Sequence, residues 1–84
     1  MKEKIEEKLR DIVLEVCSKQ IDRNEITGKV SFIYDLGMDS VSMVKLLVEI
    51  EEQFGIEIVD GYTAIEKMAD FESLVEYISS KGEN

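Results

Sequence analysis

Apolar residues along this chain fall into three helical stripes, with one long irregular stretch after the first. Ile5, Leu9, Ile12, Val13 and Val16 recur at spacings of three and four, the period of a helix with a single buried face. They predict a first helix over residues 2–19, whose outer face carries the i,i+4 pairs Glu6–Arg10 and Glu15–Lys19. Met43, Leu46, Leu47, Ile50 and Phe54 repeat the pattern and predict a second helix over 40–54, with Asp39 or Ser40 as N-cap and its end near Gly55. Phe71, Leu74, Val75 and Ile78, behind Asp70 as N-cap, predict a last helix over 71–80. A short helix over 63–68 fits between these two. The expected fold is therefore all-α: a small four-helix bundle of three main helices and a short third one, forming one domain over residues 1–84.

The pattern breaks between the first two helices, where Asn24, Thr27 and Gly28 supply turn chemistry. Ile21, Ile26, Val30, Phe32, Ile33 and Leu36 make this stretch too apolar for a free linker, so it is expected to pack across the helices. Residues 30–33 could form a short strand, but no second strand is evident to pair with it.

Composition narrows the chemistry. The chain has no histidine and a single cysteine, so a Ser-His-Asp or Cys-His arrangement is impossible, as is a zinc site of the usual Cys/His kind. Cys17 flanks the first apolar stripe and reads as a small, partly buried hydrophobe. Only carboxylates remain for acid–base work, and catalysis by the chain alone is not expected. The charged start, residues 1–10, predicts no signal peptide, and no apolar run approaches the ~20 residues of a membrane span. A reducing cytoplasm is the expected compartment.

The net charge of −9 argues against nucleic-acid and anionic-membrane partners. Residues 1–30 are neutral overall, whereas residues 31–60 hold Asp35, Asp39, Glu49, Glu51, Glu52, Glu57 and Asp60 against Lys45 alone, a net of −6. Most of the excess therefore surrounds the second helix, which suggests docking to basic partners.

Ser40 stands at the mouth of that helix, directly after a glycine turn. No base in the chain can make it a hydrolytic nucleophile, and a serine so displayed suits modification by another protein. Read alone, Asp35-Leu36-Gly37-Met38-Asp39-Ser40 is a turn and a capped helix, with Gly37 supplying a positive φ. Its acids are too few and misplaced for an EF-hand. A second apolar stripe, Val41, Val44 and Val48, runs beside Ser40 and is bordered by Glu51 and Glu52. It is either covered by the preceding loop or the short helix, or left open as a docking strip.

At this point the residues resemble a known family. The run Asp35-Leu36-Gly37-x-Asp39-Ser40-Val41, continuing through Val44, Leu46-Leu47, Ile50-Glu51-Glu52 and Phe54, is similar to the acyl carrier proteins over the whole chain. The resemblance implies that Ser40 receives 4′-phosphopantetheine from coenzyme A through a separate phosphopantetheinyl transferase, with Gly37 and Asp39 shaping the site. Acyl groups would then ride as thioesters on the thiol of that arm, at high effective concentration for each partner. It also implies a partner-facing surface of Asp35, Met38, Val41, Val44, Val48, Glu49, Glu51 and Glu52, met by acyl-transferring and condensing enzymes with basic patches. The carrier would be a monomer in fatty-acid or polyketide-type biosynthesis.

The chain departs from the family in Lys45 for the usual Glu, Ser42 for a common Asp and Met38 for a small Ala. It also carries Val59-Asp60-Gly61-Tyr62 where Pro-Asp-Glu is common. These differences bear on partner choice and on any acyl-binding cleft, and they point towards a specialised pathway. Two alternatives stand beside this reading: a peptidyl or aminoacyl carrier of nonribosomal assembly, and an acidic helical adaptor that is never modified.

Overall fold

The computed structural model of the chain describes residues 2–17, 20–58 and 70–82. Helix α1 spans Lys2–Val16, α2 spans Ser40–Phe54 and α3 spans Phe71–Gly82; a single 3₁₀ turn, Arg23–Glu25, lies in the connection between α1 and α2. The short helix expected over 63–68 lies outside the described residues. None of the described helices is long and apolar enough to cross a membrane.

The apolar stripes meet in one core. Leu9, Ile12 and Val13 of α1, Met43, Leu46, Leu47 and Ile50 of α2, and Phe71, Leu74, Val75 and Ile78 of α3 are buried together. Ile5, Val16 and Phe54 are half-buried at its margin. The all-α reading holds, with one difference at the end of α1. That helix closes at Val16, the Cys17 N–H bonding the Val13 carbonyl at 2.9 Å; residues 18 and 19 of the expected span, and with them the Glu15–Lys19 pair, lie outside the described residues. The half-buried Cys17 thiol then turns to the Leu36 carbonyl, 3.6 Å away.

The long connection supplies more of the core, and Ile58, beyond α2, adds to it. Ile26, Phe32, Leu36 and Met38 are buried beside the helices. Ile33 departs from expectation and is 39% exposed, because the turn that buries Phe32 points the next two side chains outward.

Charged residues fasten the connection to α1. The Arg23 guanidinium donates to Asp11 at 2.5 Å and to Glu7 at 2.6 Å, and also to the Glu7 carbonyl at 3.1 Å. Arg23 holds the Glu7 carboxyl below its ordinary value of 4.5, and its own pKa is raised by the same bonds. Arg10 pairs with Glu7 at 2.9 Å instead of the expected Glu6. It is drawn across the helix because its Nε donates to the Ile26 carbonyl at 2.7 Å while its guanidinium lies 5.0 Å from the centre of the Phe71 ring.

The start of α3 is held by the same connection. A helix leaves its first amides without partners. Here the Phe71 N–H donates to the Val30 carbonyl at 3.0 Å and the Glu72 N–H to the Gly28 carbonyl at 2.8 Å. Asp70 caps the next amide, accepting from the Ser73 N–H at 2.8 Å. Residues 30–33 form no strand: Ser31 makes an isolated antiparallel bridge with Asp70, and the chain turns directly after it.

The far end of α2 is closed by Gly55 in the left-handed conformation, φ 66°, its N–H bonding the Glu51 carbonyl at 3.0 Å. No basic residue lies in the last turn of α2. Lys8 of α1 supplies the charge instead, donating to the Gln53 carbonyl at 2.7 Å and sitting 5.1 Å from the centre of the Phe54 ring.

These burials predict a sharp contrast on α2. Leu46→Ala, at a fully buried position, is expected to cost about 2–5 kcal/mol in chemical denaturation. Val44→Ala, at a position 52% exposed, should stay within about 0.5 kcal/mol of the parent.

Candidate functional site: the serine at the start of α2

Residues 31–38 fold into a tight turn that delivers the chain to α2. Ser31 is its hub: the Asp35 and Leu36 amides both donate to its carbonyl at 3.0 Å, and the Tyr34 amide donates to its hydroxyl at 3.0 Å. The Ser31 N–H donates in turn to the Asp35 carboxylate at 2.7 Å. A further bond from the Met38 N–H to the Phe32 carbonyl, 2.9 Å, closes the turn. Gly37 then adopts φ 70°, a conformation that side chains disfavour, and the chain extends through Asp39 into the helix.

Asp39 is the N-cap and Ser40 the first helical residue. The Asp39 carboxylate accepts from the Ser42 N–H at 2.9 Å, and this bond is the main cause holding its pKa below the ordinary 3.8; the Ser42 hydroxyl and the Lys45 charge add to it. The Ser40 side chain is exposed. Its position is thus fixed from one side by the closed turn and from the other by the helix. Its hydroxyl sits where the first amides and the aligned peptide dipoles of α2 favour a phosphate group. Such a placement fits a phosphodiester made on the serine oxygen.

The other residues singled out from the sequence divide into three kinds of environment. Val41, Val44 and Val48 are 63%, 52% and 45% exposed, so the second stripe of α2 remains open among the described residues. Glu52 is exposed, while Glu49 is half-buried and accepts from the Gln53 side chain at 3.1 Å. Glu51 is half-buried and has internal work: its carboxylate accepts from the Ile58 N–H at 2.7 Å, holding the chain that leaves Gly55. Asp35 is exposed but spends one carboxylate oxygen on the turn.

Met38 corrects an expectation. It was read as partner-facing, yet its side chain is 3% exposed and belongs to the core, because the bond from its amide to Phe32 pulls it inward.

Two surface features went unread in the sequence. Tyr34 is 90% exposed at the tip of the turn, one residue from the partly exposed Ile33. Between α1 and α2, Glu15 and Val16 join Val44, Lys45, Val48 and Glu49 around an open groove of about 350 Å³. The signal for Tyr34 was present as an aromatic with no place in any apolar period. The groove has no local signature, since its two walls lie far apart in the chain.

Residues 7–78 match the family model described as the phosphopantetheine attachment site. A curated relative, the acyl carrier protein of Campylobacter hominis, is 40% identical over 78 residues, covering 93% of this chain and 94% of its own length.

Two predictions follow from the caps and bonds around this serine. Since folding lowers the Asp39 pKa, its ionised cap stabilises the fold above pH 3.8, and that contribution is lost as pH falls through the lower folded value. Asp39→Asn keeps a capping oxygen and should melt near the parent at neutral pH with a shallower acid-side decline, whereas Asp39→Ala should melt lower even at pH 7. Glu51→Lys should lower stability by about 1 kcal/mol through loss of the bond to Ile58. Glu52→Lys, at an exposed position, should not change the melting temperature measurably.

Proposed function

The chain belongs to the acyl carrier protein family, and on that premise we propose that Ser40 is the residue that carries its phosphopantetheine. Members of this family are carriers, not enzymes, and the group they carry is covalent 4′-phosphopantetheine. The group supplies a thiol on which acyl chains are held as thioesters for biosynthesis. This chain's own residues hold and present it.

The observation that carries the assignment is the exposed Ser40 side chain at the first position of α2, behind the Asp39 cap. In arm attachment the Ser40 oxygen would form a new bond to the phosphorus bearing pantetheine in coenzyme A. The pyrophosphate bond would break, adenosine 3′,5′-bisphosphate would leave, and the serine proton would pass to a base of the transferase. Asp39 and Gly37 act by position: one fixes the helix start, the other turns the chain into it.

The partner-facing surface we propose is Val41, Val44 and Val48 with Glu49 and Glu52, reached by enzymes with basic docking patches. Glu51 contributes charge at its edge while it holds Ile58. An apolar centre with an acidic rim suits short, salt-sensitive encounters, in which complementary charge raises the association rate more than the residence time. Acyl intermediates of fatty-acid or polyketide-type assembly are the proposed cargo. The departures at Lys45 and Ser42 change the charge pattern beside Ser40, which favours a partner set of its own.

Incubation of the purified protein with coenzyme A and a broad-specificity phosphopantetheinyl transferase tests the assignment by intact mass. The expected result is a gain of one phosphopantetheine that Ser40→Ala abolishes. A gain that survives Ser40→Ala, or no gain by the parent, would overturn it.

A further inference from the structure

The exposed apolar side chains are not scattered. Among the described residues the large exposed hydrophobics are Ile33, Tyr34, Val41, Val44 and Val48, two in the turn of residues 31–38 and three on α2. Single exposed hydrophobics are ordinary on any surface, but here all five lie on the two elements that lead into and out of Ser40. The valines follow the second stripe of α2. Ile33 and Tyr34 belong to a different element, the turn of residues 31–38, and no helical period explains their exposure.

That turn is built to hold them out. Tyr34 is fixed by its own amide, which bonds the Ser31 hydroxyl, and by the Asp35 amide next to it, which bonds the Ser31 carbonyl. The bond from Met38 to Phe32 then folds the end of the turn back onto its beginning. Tyr34 therefore projects from a closed turn that ends two residues before Ser40, a chain distance of at most about 7 Å. The backbone beneath it is already ordered, so a partner that grips the ring loses little conformational freedom in the chain. Asp35 and Asp39, both exposed, add negative charge between Tyr34 and Ser40 in the chain.

We infer that Ile33 and Tyr34, on the turn that leads into Ser40, form a docking point for the phosphopantetheinyl transferase. This inference rests on the assignment of Ser40 as the attachment residue. The choice of occupant comes from geometry. The enzyme that attaches the arm must bring the Ser40 oxygen itself within about 3–3.5 Å of the phosphorus it attacks. It has to come close to the surface next to that serine. Enzymes that act on the cargo meet a thiol at the far end of a long arm, and need no close contact with the turn before Ser40. The matching surface on the transferase is an apolar recess edged by basic side chains. The recess accepts the tyrosine ring, and the basic groups face Asp35, Asp39 and the ring face.

Steady-state kinetics of arm attachment, with coenzyme A and a broad-specificity phosphopantetheinyl transferase, tests this on the full chain. Tyr34→Ser is expected to raise the KM for the carrier about 5- to 30-fold with kcat changed less than about twofold, as loss of an aromatic contact at a protein interface does. Tyr34→Phe should restore the KM to within about twofold of the parent. Melting curves of both variants should match the parent, since a side chain 90% exposed supports no packing. The pre-loaded holo carrier should show no comparable KM rise for Tyr34→Ser with a ligase that loads an acyl chain from the free acid and ATP. An unchanged KM in arm attachment overturns the inference, as does an equal rise in both reactions. Either result leaves Ser40 standing so long as Ser40→Ala still blocks arm attachment. If Ser40→Ala is modified, the underlying assignment has failed instead.

Discussion

Burial of the connection between α1 and α2 is the constraint on which the rest of this molecule depends. Three amphipathic helices would leave a gap between them, and Ile26, Phe32, Leu36 and Met38 fill it from a segment with almost no regular structure of its own. Irregular backbone placed against a core needs partners for its polar groups. Gly28 and Val30 find theirs in the first amides of α3, which need acceptors for the same reason. Two segments with unmet hydrogen-bonding capacity satisfy each other, and the clamp of Arg23 on Glu7 and Asp11 holds the first part of the connection down on α1.

The site inherits its rigidity from that arrangement. The turn of residues 31–38 is anchored through Phe32, Leu36 and Met38 in the core, and its outer residues are displayed because their neighbours are buried. Ser40 sits at the junction of this anchored turn and α2. A side chain placed on such a junction is exposed while the backbone beneath it is held from both directions. The excess of acidic residues in the stretch around Ser40 gives this part of the molecule a negative field that reaches beyond contact distance.

Much of this was legible in the sequence because it is written in local periods. The buried faces of α1, α2 and α3 follow from spacings of three and four, and the Asp39, Asp70 and Gly55 caps from residue type at the helix ends. The apolar residues of the connection foretold its packing, though not which of them would turn out. Met38 and Ile33 exchanged environments relative to the reading from sequence, because a hydrogen-bonded turn, not a repeat, decides their direction. Glu51 looked like one more surface acid. Its bond to Ile58 seven residues away follows from the left-handed turn at Gly55, which brings the departing chain back past the helix. The Ser31–Asp70 bridge was out of reach for the same kind of reason, being a pairing between distant segments.

The cation that closes α2 comes from α1, where Lys8 faces the Gln53 carbonyl and the Phe54 ring. The outer surface of α2 is thereby relieved of a duty that a helix usually meets with its own residues. Mutation can redraw the charge pattern along that surface without disturbing the helix end. Divergence in molecular recognition is uncoupled from maintenance of the scaffold, and a lineage could acquire new clients while its architecture stayed unchanged.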